Sequence, residues 1–309
     1  MKTSKFTYHA PRTVAEALDT LAEHSVDAKV LAGGQSLVPV MAMRLAAPAH
    51  LVDINKLTPE LGDLEVTGDG VRIGALVRHA RLERDADAAV RVPLVGQALR
   101  HVAHPTIRNR GTTVGSLAHA DPSAEMPVVL ALLGGSVVAR SVRGERTIDA
   151  ADFFVGPMES VLGYDELAVS AFFPAVPGRA GTAFDEITRR HGDYAMCGLA
   201  VVAQLDEADR FTSLRLAFVS VSDVPEVVDL TDDVAGTPYT DVDHAALGDR
   251  VRELVDPAGD LHASADFRRH LAAVLTQRLT REAAERAAGV APGAAATAGT
   301  APTTRGGRA

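Results

Sequence analysis

Apolar residues in the first 55 positions follow helical and strand spacing in turn. In segment 13–24 they recur at i, i+3, i+4 and i+7, which predicts an amphipathic helix. Short apolar runs on either side fit strands, and Ser36 marks the start of a second helix. The predicted elements are a strand around Phe6 and Tyr8, strands at 28–33 and 50–55, and helices at 13–24 and 36–46. This order predicts a βαβαβ unit with parallel strands and right-handed crossovers.

The pattern changes between residues 57 and 176. Two short alternating segments separated by a Gly-Asp-Gly turn predict a β-hairpin. Three helical segments and three further strand segments follow it. The predicted strands are 63–68, 71–76, 135–141, 145–150 and 166–173, and the predicted helices are 78–85, 93–102 and 123–133. We expect an α+β unit here.

A cluster of Pro174, Pro177 and Gly178 indicates a domain boundary. Beyond it we predict three strands in antiparallel succession and two helices. The predicted strands are 182–190, 198–206 and 213–221, and the predicted helices are 243–255 and 266–288. The predicted domains are 1–176, with subdomains 1–56 and 57–176, then 179–287, then a tail at 288–309. The tail is rich in Ala, Gly, Thr and Pro, a composition that predicts disorder.

Composition narrows the classes of function. A net charge of −9 with no basic cluster makes nucleic acid and anionic membrane surfaces poor partners. The first residues lack the apolar core of a secretory signal, and no apolar run reaches the roughly 18 residues that span a bilayer, so we expect a cytoplasmic protein. Cys197 is the one cysteine and lies among small apolar residues, which predicts a buried thiol. One cysteine cannot form an intrachain disulfide or ligate an iron–sulfur cluster by itself.

The segment 31-LAGGQS-36 contains a glycine pair between a predicted strand and a predicted helix. Glycines permit positive φ and close backbone approach, so successive N–H groups can turn toward one point and bind an anion. A phosphate fits this description. Taken alone, a plain strand-to-helix connection explains the same residues.

A second glycine segment, 111-GTTVGS-116, has the same ingredients, with Arg108 and Arg110 nearby. A tight turn is the simpler explanation of either segment alone, but two of them suit the two phosphates of a dinucleotide. Neither segment is a Walker phosphate loop, since no Gly-Lys-Ser/Thr follows, and neither has the G-x-G-x-x-G pattern of the Rossmann fold. The sequence therefore indicates a dinucleotide site of another kind.

Five blocks in this order resemble the FAD-binding medium subunit of the molybdenum hydroxylases, the xanthine dehydrogenase and carbon monoxide dehydrogenase family. The resemblance covers residues 1 to about 287. The blocks are AGGQSLVPVM (32–41, with Arg44), LVDIN (51–55), RIGALVRHARLE (72–83), HPTIRNRGTTVGSLAHADPSAEMP (104–127) and TRRHGDYAMCGLA (188–200).

The resemblance implies a vanillyl-alcohol-oxidase (PCMH-type) FAD-binding fold of two α/β subdomains. It is followed by a C-terminal domain with a three-stranded antiparallel sheet and a helix bundle. The positions it implies for the cofactor are Ala32, Gly33, Gly34, Gln35, Ser36 and Leu37 on one side, Ile107, Gly111, Thr112, Val114, Gly115 and Ser116 on the other, and Glu125 at the ribose or adenine end. Asp193 and Tyr194 match residues that lie near the flavin ring.

Val114 departs from the family pattern, which has a glycine at this position. Valine strongly disfavours positive φ, so we expect Val114 in the β region of backbone conformation. We also expect the amides of Gly115 and Ser116 to remain available to a phosphate.

Other candidate residues have simpler explanations. His79, His101, His104 and His119 lack metal-ligand spacing, and we predict no metal site. Asp121 precedes a proline and is expected to start a turn or cap the next helix. The charges of helix 266–286 are expected to form a solvated face, part of which meets a partner subunit.

The family implies a flavin electron-transfer subunit. Electrons from a molybdopterin-binding large subunit cross the 2Fe–2S clusters of a small subunit and pass from FAD to an external acceptor, in an assembly that we expect to be a dimer of heterotrimers. Two alternatives stay open: a free-standing FAD oxidoreductase of the same superfamily, and a cofactor-free assembly subunit. The substrate pocket of such a complex lies in another chain.

Overall fold

A parallel three-stranded sheet forms the N-terminal part of the computed structural model, which describes residues 2–291. Strand order is β1-β3-β2, and both pairs are parallel, as the sequence pattern predicts. The elements are β1 (Thr7–His9), α1 (Val14–His24), β2 (Ala28–Leu31), α2 (Leu37–Ala42) and β3 (His50–Asp53). Helix α2 is shorter than predicted, because the chain leaves helical geometry soon after Ala42 and Arg44 has a φ of 61°.

A five-stranded antiparallel sheet lies at the centre of the second unit, in the order β4-β5-β10-β6-β7. Its strands are β4 (Leu64–Val66), β5 (Gly70–Gly74), β6 (Ser136–Ser141), β7 (Gly144–Asp149) and β10 (Leu167–Pro174), with a separate pair β8 (Phe154–Gly156) and β9 (Glu159–Ser160). The helices are α3 (Thr58–Leu61), α4 (His79–Arg84), α5 (Ala86–Arg91), α6 (Pro93–Leu99), α7 (Pro105–Arg108), α8 (Thr113–His119), α9 (Glu125–Leu133) and α10 (Ala150–Phe153).

The C-terminal unit has one strand more than predicted. The three predicted strands, β11 (Arg179–Ile187), β12 (Cys197–Leu205) and β13 (Phe211–Val219), pair in the predicted antiparallel succession. A fourth strand, β14 (Val227–Asp229), pairs with the edge of β13. It was missed because three residues with a mostly exposed pattern give no clear alternation. The remaining helices are α11 (Thr231–Val234), α12 (His244–Leu254) and α13 (Ala265–Ala287).

Strand β12 packs against two separate hydrophobic layers. On one face Ala200 and Val202 join the core that includes α6 and α9 of the second unit. On the other face Leu199 and Val201 join the core formed with α12 and α13. A strand buried on both faces needs a continuous apolar run, which segment 197–205 supplies. Cys197 at its start is fully buried, as predicted, and burial raises the pKa of its thiol to about 12.

Helix α13 is not a solvated charged helix along its whole length. Arg268 and Glu285 are buried, which contradicts the prediction for these two charges. Arg268 is held by hydrogen bonds from Nε to the Met196 carbonyl (3.1 Å) and from Nη2 to Asp260 Oδ2 (2.8 Å). Burial of this guanidinium is tolerated because its donors have acceptors.

The predicted disordered tail at 288–309 lies outside the described residues from position 292 onward. Of its first residues, Ala288 still donates its N–H to the Ala284 carbonyl (2.9 Å). Among residues 2–291, no helix is long and apolar enough to cross a membrane.

Gly181 allows the backbone of β11 to lie directly against α13. A Cβ at this position would overlap the carbonyl oxygen of Ala283 and the amide nitrogen of Ala287. We expect Gly181→Ala to lower the free energy of unfolding by about 1–3 kcal/mol, since both atoms that obstruct the methyl group belong to the backbone. The measurement is the urea midpoint of the full chain.

Gly96→Ala is the control for this prediction. A Cβ on Gly96 in α6 meets no atom within 4 Å, and alanine is the better helix former by about 1 kcal/mol. Gly96→Ala should leave the midpoint unchanged or raise it. Equal losses in the two variants would contradict the packing argument.

Candidate functional site

The first glycine segment joins β2 to α2 and leaves several amides unpaired. Gly34 has a φ of 72°, as a turn of this kind requires. The side-chain amide of Gln35 donates to the Gly33 carbonyl (3.0 Å) and closes the turn. Within residues 2–291, the N–H groups of Gly34, Gln35 and Ser36 donate to no protein acceptor. Three consecutive unpaired amides can bind an anion.

The two glycine segments of the sequence touch each other. A Cβ added to Gly33 would lie 2.6 Å from the carbonyl oxygen of Arg110 and 2.7 Å from the Cα of Gly111. A Cβ added to Gly111 would lie 2.8 Å from Cδ2 of the buried His79. Glycine is therefore required on both sides of the contact. The structure brings together two motifs that are about eighty positions apart in the sequence.

A hydrogen-bonded network ties this contact to the end of β3. The side-chain amide of Asn55 donates to the Ala32 carbonyl (2.8 Å) and to Asp53 Oδ1 (2.6 Å). Arg78 donates from Nη2 to Asn55 Oδ1 (2.6 Å) and from Nη1 to the Arg110 carbonyl. Asp53, Asn55 and Arg78 lie in the sequence blocks that carry the family resemblance, but no role for them followed from the sequence. Their polar side chains directly after an apolar strand were the available indication.

The second glycine segment is a helix start and not an open loop. Thr112 is the N-cap of α8, and its Oγ1 accepts from the Gly115 N–H (3.2 Å). The Ser116 N–H donates to the Thr112 carbonyl (3.0 Å). Both amides that we expected to be available to a phosphate are therefore used within the helix, and that expectation was wrong. The difference arises because Thr112 caps helix α8, which starts at Thr113 and uses both amides in its first turn.

Val114 is helical, so the predicted β-region conformation was also wrong. Its side chain is 1% exposed and packs in the core of the second unit. A glycine would leave a cavity here, whereas the valine fills it. On the other face of α8, Gly115, Ser116 and His119 are partly exposed. The Ala32 Cβ lies 4.0 Å from the position of a Cβ on Gly115, so this face borders the first glycine segment.

Arg108 has a structural role. Its guanidinium is buried and donates from Nε to Glu83 Oε2 (2.8 Å) and from Nη1 to the Val102 carbonyl (3.0 Å). These bonds fix α7 against α4 and leave Ile107 partly exposed beside the glycine contact. Of the two arginines in the motif, only Arg110 has an exposed side chain.

The loop between β11 and β12 packs onto the start of α7. Gly192 has a φ of 86°, and a Cβ there would lie 2.5 Å from His104 Cε1. The His104 and His191 rings are also in contact, with centroids 5.6 Å apart. The C-terminal unit therefore reaches the same region as the two glycine segments.

Tyr194 and Asp193 of this loop differ in their surroundings. Asp193 forms an ion pair with Arg190 (3.1 Å), whose hydrogen bond lowers the carboxyl pKa. Tyr194 is 69% exposed, but its hydroxyl group faces Asp121 and Glu125. Loss of water around the hydroxyl, the charge of Asp121 and a hydrogen bond with Asp121 all raise the Tyr194 pKa. The phenol therefore keeps its proton at neutral pH.

Two carboxyl groups at the junction of the units are difficult to ionise. Burial raises the pKa of Glu125, the first residue of α9, to about 7. Burial, followed by the charges of Glu125 and Asp185, raises the pKa of Glu186 to about 8. The Glu186 side chain is 5% exposed, its Oε1 lies 3.9 Å from His101 Nδ1, and its Oε2 has no hydrogen-bond partner among the described residues.

The remaining candidates of the sequence analysis have structural partners. Asp121 Oδ1 accepts from the Ser123 N–H (2.9 Å), which confirms the predicted turn. His79 Nδ1 lies 3.0 Å from Thr113 Oγ1, and burial lowers the His79 pKa to about 4. The His79 ring packs against Gly111 and so supports the contact between the two glycine segments. The ring is neutral at neutral pH.

Two family models cover most of the chain. The model described as the FAD binding domain in molybdopterin dehydrogenase matches residues 4–176, and the CO dehydrogenase flavoprotein C-terminal domain matches residues 182–283. The chain belongs to the family of molybdenum hydroxylase medium subunits. This confirms the resemblance, and with it the fold class of a PCMH-type FAD-binding fold followed by a C-terminal domain.

Individual relatives of this medium subunit align along nearly their whole length. The nicotine 6-hydroxylase medium subunit of Paenarthrobacter nicotinovorans is 40% identical, over 93% of this chain and 100% of that protein. The carbon monoxide dehydrogenase medium chain of Hydrogenophaga pseudoflava is 33% identical, over 92% and 99%. Among solved structures, quinoline 2-oxidoreductase from Pseudomonas putida 86 superposes with a TM-score of 0.87 at 36% identity, covering 93% of this chain and 99% of that chain.

The medium subunit is thus an oxidoreductase component with an FAD-binding domain. Its residues fit a dinucleotide pyrophosphate on two observations. The amides of Gly34, Gln35 and Ser36 are unpaired, and Gly33 and Gly111 leave a backbone surface without side chains beside them. A charged phosphate could approach these amides closely.

We expect Glu186→Gln to change how stability depends on pH. The folded pKa of about 8 lies above the ordinary value of 4.5, so folding takes up a proton and the free energy of unfolding falls as pH rises from about 4.5 to 8. A neutral amide removes this loss, and the variant should gain roughly 1–3 kcal/mol relative to wild type at pH 8 compared with pH 5. Urea unfolding of the full chain at the two pH values measures it.

Glu65→Gln is the matched control, because Glu65 on β4 is exposed. Its pH profile should follow that of wild type. A Glu186→Gln profile parallel to wild type would show that Glu186 is ionised in the folded protein.

Proposed function

We propose that this chain is the flavin electron-transfer subunit of a multi-subunit molybdenum hydroxylase. It receives electrons from 2Fe–2S clusters of a partner subunit and passes them from FAD to an external acceptor. The backbone contact between Gly33 and the Arg110–Gly111 peptide supports this most directly, since it assembles one anion site from two motifs. The family of the chain supports the redox role.

Two groups of residues would hold FAD. The first group is Ala32, Gly33, Gly34, Gln35, Ser36 and Leu37. Among the described residues, the amides of Gly34, Gln35 and Ser36 in this group have no protein acceptor. The second is Ile107, Gly111, Thr112, Gly115 and Ser116, of which Ser116 contributes a hydroxyl group in place of its amide. Val114 supports this second group from the core. When bound, FAD supplies redox chemistry in which electrons can be taken singly and given in pairs.

The resemblance assigns Glu125 and Tyr194 to different parts of the cofactor, although the Tyr194 hydroxyl faces Glu125 in the structure. Glu125 is close to half protonated at neutral pH, so it can either donate to or accept from a hydroxyl or ring nitrogen at the ribose or adenine end. Tyr194 keeps its proton and donates it to Asp121, so its exposed ring and its hydroxyl oxygen would lie near the flavin ring. Asp193 would hold the loop through Arg190 and would not touch the ring.

Partner subunits follow from the same proposal. The relatives are named medium subunits or medium chains, which places each of them in an assembly with other chains. The one cysteine of this sequence is buried in β12, so the iron–sulfur ligands must come from another chain. We propose a large molybdopterin-binding subunit and a small 2Fe–2S subunit, arranged as a dimer of heterotrimers. We assign FAD binding to residues 1–176 and the C-terminal domain to 179–287.

Affinity purification of the tagged full chain from its own cells tests the proposal. Co-purification of two further subunits, with FAD released by acid precipitation, is the expected result. A yellow chain that purifies alone and oxidises a substrate would favour a free-standing oxidoreductase. A colourless chain in a complex would favour an assembly subunit without cofactor.

We expect Gly34→Val to lower FAD affinity by roughly 10-fold to 100-fold. Valine at a φ of 72° costs about 1–3 kcal/mol of backbone strain or changes the turn that orients the amides, and about 1.4 kcal/mol corresponds to a factor of ten. Titration of the flavin-stripped chain with FAD measures the affinity.

Gly178→Val is the matched control for this substitution. Gly178 has a φ of 74°, its Cβ would meet no atom within 4 Å, and it lies in the turn between β10 and β11. It should suffer the same strain and keep its FAD affinity. Equal loss of affinity would mean that the amides of the first glycine segment do not bind the phosphate.

We expect Tyr194→Phe to leave FAD occupancy nearly unchanged and to shift the flavin reduction potential or the rate of electron delivery to the acceptor. The substitution removes the hydroxyl group that faces Asp121 and keeps the ring. Flavin content and a redox titration of the purified complex measure the two effects. Loss of most of the FAD would instead place Tyr194 in the nucleotide site.

A further inference from the structure

A cluster of three histidines lies in the N-terminal sheet, apart from the glycine segments. His9 is the last residue of β1, His24 is the last residue of α1, and His50 is the first residue of β3. Each offers a ring nitrogen, and these three nitrogens all lie within 4.8 Å of one another. Three elements thus bring their imidazoles together, although the residues are separated by 15 and 26 positions in the sequence.

Hydrogen bonding among the three rings is incomplete. His9 Nε2 lies 2.9 Å from His50 Nδ1, so one shared proton satisfies these two nitrogens. His24 stacks on His50 with ring centroids 3.6 Å apart, and it forms no hydrogen bond to either ring among the described residues. The ring nitrogens of His24 are therefore available to a ligand.

A metal ion from solvent can reach the cluster. The rings are half-buried and accessible from solvent.

We propose that His9, His24 and His50 bind a zinc ion. Three neutral imidazoles with an open fourth position, filled by water, are a common zinc ligand set, and imidazole also suits copper and nickel. Ligands of a tetrahedral zinc at about 2.0–2.1 Å from the metal are roughly 3.4 Å apart. The 2.9 Å pair is close to this spacing, and the 4.8 Å limit requires an adjustment on the order of 1 Å by half-buried side chains.

The ion would connect the N-terminal strand to the rest of its sheet. Strand β1 has only three residues and one neighbouring strand, and most of its side chains are exposed. Metal ligation from β1, α1 and β3 would fix this edge strand. Tyr8, the neighbour of His9 on β1, donates from its hydroxyl to Asp53 Oδ2 (2.5 Å), and Asp53 belongs to the network that holds Ala32. The zinc site would therefore stabilise the side of the fold on which the first glycine segment lies.

Zinc titration of the full chain tests the proposal. The chain is treated with a chelator, exchanged into chelator-free buffer, and titrated with zinc against a colorimetric competitor. We expect one tight site per chain, which loses at least about 100-fold in affinity in His24→Ala and in His50→Ala. Groups that hydrogen-bond a metal ligand without touching the metal typically contribute 10-fold to 100-fold in metal affinity, so loss of a ligand itself should cost at least as much. Co²⁺ in place of zinc should show the intense visible bands of tetrahedral coordination in the wild-type chain only.

His262→Ala is the control, since His262 is exposed and far along the chain from the cluster. It should bind zinc like the wild type. Circular dichroism and flavin content separate loss of a ligand from loss of folding, and His24→Gln replaces any variant that fails to fold. The proposal is overturned if wild type and the His24→Ala, His50→Ala double variant bind zinc equally, or if the tight site is absent from the wild-type chain.

Discussion

The backbone contact between Gly33 and the Arg110–Gly111 peptide is the constraint on which the candidate site depends. Contact at 2.6–2.7 Å from the position of a Cβ leaves no room for any side chain at position 33. The contact places the unpaired amides of the first segment beside the accessible face of α8. A site that binds two phosphates needs both surfaces at a fixed separation, and backbone-to-backbone packing fixes it more closely than side chains could.

This contact is itself held by residues that have no contact with a ligand in the proposed site. Asn55 and Arg78 connect the carbonyls of Ala32 and Arg110 to the end of β3. His79 packs against Gly111, and the partly buried ion pair of Arg108 with Glu83 anchors α7. Removing Glu83 would leave the buried Arg108 guanidinium without its carboxylate partner, which is costly. Polar groups at the ends of strands and short helices therefore fix the relative position of the two glycine segments.

The sequence predicted more of the fold than of the site. Helical and alternating periodicity located every strand of the two larger sheets except β14, and the order of elements gave the parallel pairing of β1, β2 and β3. The segment GTTVGS could not be assigned correctly, because a glycine-rich stretch and a Thr-capped helix start have the same composition. The unpaired amides of Gly34 to Ser36 agree with the sequence, whereas Asn55, Arg78 and the histidine cluster depend on residues brought together only by folding. Nothing in a spacing of 15 or 26 residues indicates that three rings meet.

Two cores that share β12 explain how the C-terminal unit can affect a site built mainly by the other two. One face of this strand packs on the layer that contains α9, which begins at Glu125, and the other packs on α12 and α13. The loop that precedes β12 contains Tyr194, so packing of β12 sets the distance from Tyr194 to Asp121 and Glu125. Glu186, at the end of β11, is buried at the same junction with a raised pKa. A carboxyl group that is costly to ionise lowers stability near neutral pH, and such groups persist where another requirement outweighs stability. At this junction the loop that contains Tyr194 lies against Asp121 and Glu125 of the second unit.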